Sequence, residues 1–376
     1  MDLFNEITTD LDGNPYPIYI GKGIISNITN YMNLTTDNRK VIVVHDSFFE
    51  ETVAKQVQIS LESQGYTVLL HSMDAGKGNK NINEALKIFA RLEENNFARD
   101  STLVAIGGGV IGDMAGFVAS TWLRGMHLVH IPTTLIAMVD SSIGGKTAIN
   151  FRKTINGIGS YYHPVFNIID LDLVNTLSER DYFSGLAEVI KCAIINDPSF
   201  FNYLLSNKEH ILKRDANNVV HFISRTIDIK IKHVQGDVKE GGKRLLLNYG
   251  HTLGHSVEIS TEKDNQEQLR HGEGVSIGIM AVAYIAEKYL GVSNDVYMSF
   301  QEIFSAFNLP TYVSASELGL DRDKLYKSCI INVHKDKKRL SNRLRVILAS
   351  EIGHASVYND IPTTLVEDAF NHIIRA

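Results

Sequence analysis

The residues best able to do chemistry lie in a few short segments. In NYGHTLGHSVE (248–258), His251, His255 and Glu258 fall on one helical face. Imidazoles at i and i+4 can share a metal ion, although a solvated polar face produces the same spacing. His271 opens a further segment, HGEGV, while Glu188 and Lys191 lie in SGLAEVIK. Spacing alone favours His251 and His255 as co-ligands, with Glu188 or His271 completing the set. GGGVIGD (107–113) follows an apolar run and precedes a helical pattern. Its Gly107, Gly109 and Gly112 fit G-x-G-x-x-G, in which glycine lets backbone N–H groups approach a diphosphate at a helix N-terminus. No acid stands about 20 residues downstream to hold a ribose. An adenosine end would then be held by earlier strands, and Asp46, at the end of VIVVH, is the candidate.

Several cations sit inside motif-like segments instead of charge runs. They are Arg124 in LRGM, Lys146 in SSIGGKTAIN, Lys191, Lys230, Arg244 in KRLLLN, and Lys337 and Lys338 in HKDKK. Each alone reads as a surface cation. Together they suggest a substrate with more than one anionic group, since Arg suits carboxylates and Lys suits phosphate.

The elements that must position these groups change character along the chain. Strand-like runs (41–45, 66–71, 101–106, 128–132) alternate with helical patterns such as INEALKIFARLEENN (82–96), which predicts a parallel sheet covered by helices. After about residue 175 long helices dominate. Ser178 with Asp181 predicts a helix start, and that helix runs to about Asn196. A second runs from Gly272 to Leu290 and is stopped by Gly291. EKDNQEQ (262–268) is polar enough to be a loop. In the first of these helices Leu186, Val189, Ile190, Ala193 and Ile194 form an apolar stripe, yet Cys192 and Ile195 stand on the other face. Both faces are therefore covered, and Glu188 and Lys191 need buried partners. Cys192 itself reads as a core thiol.

Length and composition agree with this picture. A chain of 376 residues suggests two domains, placed at 1–175 (a Rossmann-like α/β domain) and 176–376 (mostly α-helical). A net charge of −6 argues against a broad nucleic-acid footprint and leaves room for one basic pocket. Two cysteines, Cys192 and Cys329, exclude a disulfide framework and a four-cysteine zinc site. No signal peptide or membrane span is read in the sequence, and a cytoplasmic enzyme is expected.

The combination resembles the 3-dehydroquinate synthase family of the sugar phosphate cyclase superfamily, from about Ile18 to about Val357. The likeness is densest in GGGVIGDMAGFVAST, IPTTLIAMVDSSIGGKTAIN, SGLAEVIK, LNYGHTLGHSVE, HGEGV and DKK. It implies an NAD-binding α/β domain, a helical C-terminal domain and a homodimer. It implies zinc (or cobalt) held by Glu188, His251 and His271, with His255 as a proton relay. Asp140, Lys146, Asn156, Lys191, Lys230, Arg244, Asn248 and one lysine of Lys337 and Lys338 match substrate-binding positions, and Asp140 and Lys191 are with His255 the expected catalytic residues. Arg124 matches a residue that reaches the partner subunit's site. Gly108, Gly109, Asp113, Thr133 and Thr134 match NAD-binding segments, and Lys146 is expected to bind the cofactor as well. Two departures stand out: Ile155 replaces the usual lysine before Asn156, with Lys153 a substitute, and Lys77 replaces a glutamate expected to accept ribose hydroxyls.

The implied reaction converts 3-deoxy-D-arabino-heptulosonate 7-phosphate to 3-dehydroquinate and phosphate. Transient oxidation by NAD makes a neighbouring C–H acidic, phosphate leaves, the ketone is reduced again, and aldol closure follows. Three rivals share parts of the pattern: another cyclase of secondary metabolism, a metal-dependent polyol dehydrogenase, and a non-catalytic metabolite-binding homologue.

Overall fold

The structure, a computed structural model, describes residues 2–32, 38–152, 154–263, 267–339 and 344–376, with backbone alone over 336–339. The chain divides into two compact units. The first is Met1–Leu177 with Val219–Lys239, and the second is Ser178–Asn218 with Glu240–Ala376.

The first unit is built on a sheet of β1 (Asp2–Asp10), β2 (Pro15–Lys22), β3 (Lys40–Asp46), β4 (Thr67–Met73), β5 (Thr102–Gly107), β6 (His127–Pro132) and, after an intervening hairpin of β7 (Lys146–Phe151) and β8 (Thr154–Tyr161), β9 (Phe166–Asp170). The order is β1-β2-β9-β6-β5-β3-β4. Only β1 and β2 pair antiparallel; the other neighbours are parallel. Strands covered on both faces need unbroken apolar runs, and Val41, Ile42, Val43 and Val44 are all fully buried. Helices α1 (Lys55–Glu62), α2 (Ile82–Glu94) and α3 (Gly109–Thr121) connect the strands. In α2, Ala85, Ile88 and Leu92 are buried, and the Asn81 side chain caps the start by accepting from the Asn83 and Glu84 N–H groups. Register sets His45 beside Ile106 and Gly107 beside Pro132. Asp46, the last residue of β3, and Gly108 and Thr133, which follow β5 and β6, therefore lie at the carboxyl edge of the sheet, where open α/β sheets take ligands.

The second unit is helical. Its helices are α4 (Glu179–Asn196), α5 (Pro198–Ser206) and α6 (Lys208–Leu212); then, beyond α7 (Ala216–Val234), α8 (His251–Thr261), α9 (His271–Leu290), α10 (Asn294–Ala306), α11 (Arg322–Arg339) and α12 (Thr363–Ile373). Short pairs β10–β13 (Val313–Ser314 with Ile374–Arg375) and β11–β12 (Val346–Glu351 with His354–Tyr358) complete it. Ser178 caps α4 by accepting from the Asp181 N–H, and Gly291 ends α9 in a left-handed conformation, as their residue types require. Helix α9 packs against α4, α8, α10 and α12, and its residues from Gly272 to Ala283 are buried except Glu273. One difference from the sequence reading is that 219–239, expected in the helical half, clusters with the first unit. An amphipathic helix presents the same pattern whichever core it covers. Among the described residues no helix is long and apolar enough to cross a membrane.

Candidate active site

In the second unit, both faces of α4 are covered: Glu188 and Lys191 are each 1% exposed, and Cys192 is buried. Lys191 Nζ donates to Glu188 Oε2. The other oxygen, Oε1, is buried without a hydrogen-bond partner, an expensive state for a carboxylate. Two imidazole nitrogens face it: His251 Nε2 at 3.4 Å and His271 Nε2 at 3.3 Å. Donors held about 2.0–2.1 Å from a tetrahedral zinc stand about 3.3–3.4 Å apart. An orphaned carboxylate oxygen with two imidazole nitrogens at that spacing fits a divalent metal. The ring of His255 lies 5.2 Å from His251 and 5.5 Å from His271. Ligand atoms of these three histidines come within 4.8 Å of one another, and His255 is the exposed member.

Charges in this cluster are strongly perturbed. Burial alone would raise the Glu188 carboxyl, but Lys191 and His251 outweigh it and hold it well below the usual carboxylate range. Burial would lower His271, whereas the adjacent Glu188 and Glu258 carboxylates push it up to about 10.

Glycines bring the three helices close enough for this convergence. A Cβ at Gly272 would fall on the Ser184 carbonyl of α4, and one at Gly278 on the Gly250 carbonyl preceding α8. A Cβ at Gly254 of α8 would meet the Gly274 carbonyl of α9 at 2.5 Å. The helix starts are also tied by charge: Arg180 binds Glu273 through two bonds of 2.7 Å, and Arg270 Nε lies 2.8 Å from Asp181. Arg244 is buried, and Asn248 donates to Glu240 Oε1 at 2.6 Å. Glu240 holds a left-handed φ of 61°, a strained state for a non-glycine residue.

In the first unit the glycine loop joins β5 to α3 as the sequence pattern requires. Cβ atoms at Gly108 and Gly109 would stand 3.1 Å from Thr134 Cγ2 and Ser141 Oγ, and the N-cap residue, Gly108, makes no side-chain cap to α3. Backbone N–H groups at such a helix start suit a diphosphate. Nearby, Lys80 is 7% exposed and donates to Asp113 and, at 2.6 Å, to Asn156 Oδ1. Burial raises the Asp113 carboxyl above its ordinary value, with Lys80 opposing. Lys230 donates to Asp140, with a 2.6 Å contact to Oδ1. Asp46 caps the turn after β3 by accepting from the Phe48 N–H, and Thr133 is buried. Lys146, at the start of β7, is exposed. Arg124 lies in a turn where Leu123, Arg124 and Gly125 all have positive φ (47°, 68° and 127°). The two departures, Lys77 and Ile155, flank one side chain: Asn150 Nδ2 donates to the Lys77 carbonyl and its Oδ1 accepts from the Asn156 N–H. Lys153 and the side chains of Lys337 and Lys338 lie outside the described residues.

Several residues here escaped the sequence reading. Lys80 stands in a polar turn and carries no local signal. Glu240 has only its position before the KRLLLN segment. Glu258 does share the face of His251 and His255, but nothing in its spacing shows that it meets His271 Nδ1 at 3.2 Å.

Known proteins share this arrangement of sequence. Family models described as 3-dehydroquinate synthase N-terminal and C-terminal match residues 70–184 and 185–339. A 3-dehydroquinate synthase of Shewanella sp. (strain MR-4) is 38% identical over 97% of this chain and 98% of its own. The chain belongs to the 3-dehydroquinate synthase family. A family member from Dictyoglomus thermophilum is 36% identical over 95% of each chain. At the level of fold alone, this synthase-family chain is similar to a 2-epi-5-epi-valiolone synthase of Streptomyces hygroscopicus, solved with NAD⁺ and Zn²⁺ (TM-score 0.83, 23% identity, 99% and 98% covered). It is likewise similar to a 2-deoxy-scyllo-inosose synthase complexed with carbaglucose-6-phosphate, NAD⁺ and Co²⁺ (TM-score 0.85, 22% identity, 98% and 99% covered). A probable glycerol dehydrogenase from Sinorhizobium meliloti is more distant, with a TM-score of 0.61 at 15% identity over 95% of each chain.

Proposed function

We propose that this chain is a phosphate-eliminating carbon–oxygen lyase that converts 3-deoxy-D-arabino-heptulosonate 7-phosphate to 3-dehydroquinate and phosphate, a step of the shikimate route to aromatic amino acids. The observation that carries the reading is the convergence of His251 and His271 on the orphaned oxygen of Glu188, in a chain whose 38%-identical relative is a 3-dehydroquinate synthase. The rival cyclases and the polyol dehydrogenase resemble it in fold alone.

When bound, NAD⁺ supplies a reversible two-electron oxidation and Zn²⁺ or Co²⁺ a Lewis acid. Glu188, His251 and His271 would hold the metal. The α3 N-terminus with Gly108 and Gly109, together with Asp113, Thr133, Thr134 and Lys146, would hold the dinucleotide, and Asp46 its adenosine end. Lys191, buried and fixed by Glu188, keeps one positive charge beside the metal ligands and orients an anionic oxygen. His255, the exposed ring of the three, carries a proton to and from solvent. Asp140 positions Lys230, which with Arg244 binds the substrate carboxylate. Lys146, Asn156 and Asn248 bind the phosphate, with Lys337 or Lys338 as a further cation. A homodimer in the cytoplasm, with Arg124 serving the partner subunit's site, completes the proposal.

The test is phosphate release from the heptulosonate phosphate, with and without NAD⁺ and a chelator. Phosphate should appear without net NADH absorbance and stop when metal is removed. Net NADH from a polyol would favour the dehydrogenase, and phosphate from a different keto-sugar phosphate alone would favour another cyclase. No phosphate from any candidate sugar would favour a binding protein.

A further inference from the structure

We propose that Glu258 is a positioning residue of the metal centre, holding the ring of His271 in the tautomer and orientation that presents Nε2 to the metal. The inference rests on Glu188, His251 and His271 being the metal ligands. Glu258 is 7% exposed, so its carboxylate is not a surface charge. Its Oε1 lies 3.2 Å from His271 Nδ1, while Nε2 of the same ring lies 3.3 Å from Glu188 Oε1. An acceptor on Nδ1 keeps the proton there and leaves the Nε2 lone pair facing the cluster. His251 is oriented differently: its Nδ1 faces the Tyr249 backbone carbonyl at 3.2 Å. The two imidazoles thus have unlike supports, one a neutral carbonyl two residues away and the other an anionic side chain reaching from α8 to α9.

A second observation shows that the backbone makes room for this reach. A Cβ at Gly274, three residues beyond His271, would fall on Glu258 Cγ and Oε1. Glycine at 274 is what lets the carboxylate lie beside the ring. A helix-stabilising ion pair would need no such clearance and no particular ring tautomer.

The experiment compares the full-length wild-type protein with Glu258→Gln, Glu258→Asp and Gly274→Ala, first stripped of metal. Zn²⁺ affinity is measured by chelator competition, and the visible ligand-field spectrum is recorded after loading with Co²⁺. The glutamine variant keeps shape and an acceptor oxygen but loses the charge; its zinc affinity should fall about 10–100-fold and its Co²⁺ bands should change. Aspartate, which restores the charge at shorter reach, should recover part of the loss. Gly274→Ala should weaken zinc in the same direction, and combining it with Glu258→Gln should cost less than the two losses added. Wild-type zinc affinity with an unchanged Co²⁺ spectrum in the glutamine variant overturns the proposal. Should that variant not fold, the aspartate variant decides by the same two readouts. A wild-type protein that binds no stoichiometric zinc is a distinct result, which removes the ligand assignment beneath the proposal.

Discussion

The glycine-loop region and the histidine cluster are prepared for chemistry in opposite ways. Around the loop, charged side chains close on one another: Lys80 on Asp113 and Asn156, and Lys230 on Asp140. At the start of α3 the N-cap residue, Gly108, provides no side-chain cap, which leaves backbone donors for a ligand. In the cluster, by contrast, a carboxylate 1% exposed keeps one oxygen without a hydrogen bond while two imidazole nitrogens face it. The lesson is about tolerance. Metal–ligand bonds vary by only about 0.2 Å, so the donors must be fixed beforehand by close helix contacts. A dinucleotide is held by many weaker bonds, and ion pairs beside it can exchange partners.

That contrast can be broken most forcefully at His271. His271→Ala should emerge from purification without stoichiometric zinc and with turnover at background; elemental analysis showing retained zinc would refute the ligand role. Next in size is Gly272→Ala, whose Cβ would fall on the Ser184 carbonyl and force α4 from α9. A loss of about 3 kcal/mol is expected, read as a lower urea midpoint, together with weaker zinc binding. Lys80→Ala removes the counter-charge of Asp113 and should cost roughly 3 kcal/mol. It should weaken NAD⁺ binding in calorimetry while leaving zinc affinity unchanged; a change in zinc affinity alone would reverse the contrast.

The smallest effect concerns pH. Burial lowers His130, in β6, to about 4, against about 6.5 in an unfolded chain. The unfolded state therefore binds the proton first, so the contribution is complete above about pH 6.5 and is lost as pH falls towards 4, by about 2–3 kcal/mol. Denaturant titrations should show His130→Gln losing less stability than wild type over that window. Equal losses would show that His130 does not set the acid limb.

The contrast also explains what could be read from the sequence. The strand runs at 41–45 and 101–106 and the caps at Ser178 and Gly291 were legible because burial on both faces and capping leave local marks. The buried pair Glu188 and Lys191 was legible through its neighbours, since Cys192 and Ile195 do not belong on a wet face. Strand β8 was not, because TINGIGSY is exposed along nearly its whole length and has no apolar alternation. The choice among His251, His255 and His271 was also out of reach of spacing, which favoured the i, i+4 pair. The nitrogens facing Glu188 Oε1 in the structure include one from α9, and helix–helix approach is a tertiary fact. Gly272, Gly274 and Gly278 hinted at such an approach without naming the partner.

X-ray absorption at the zinc edge of the loaded protein tests the central claim most directly. Two imidazoles and an oxygen should appear in a shell of nitrogen and oxygen donors at about 2.0–2.1 Å. A sulfur shell near 2.3 Å, or an ion surrounded by water with no imidazole scattering, would contradict it.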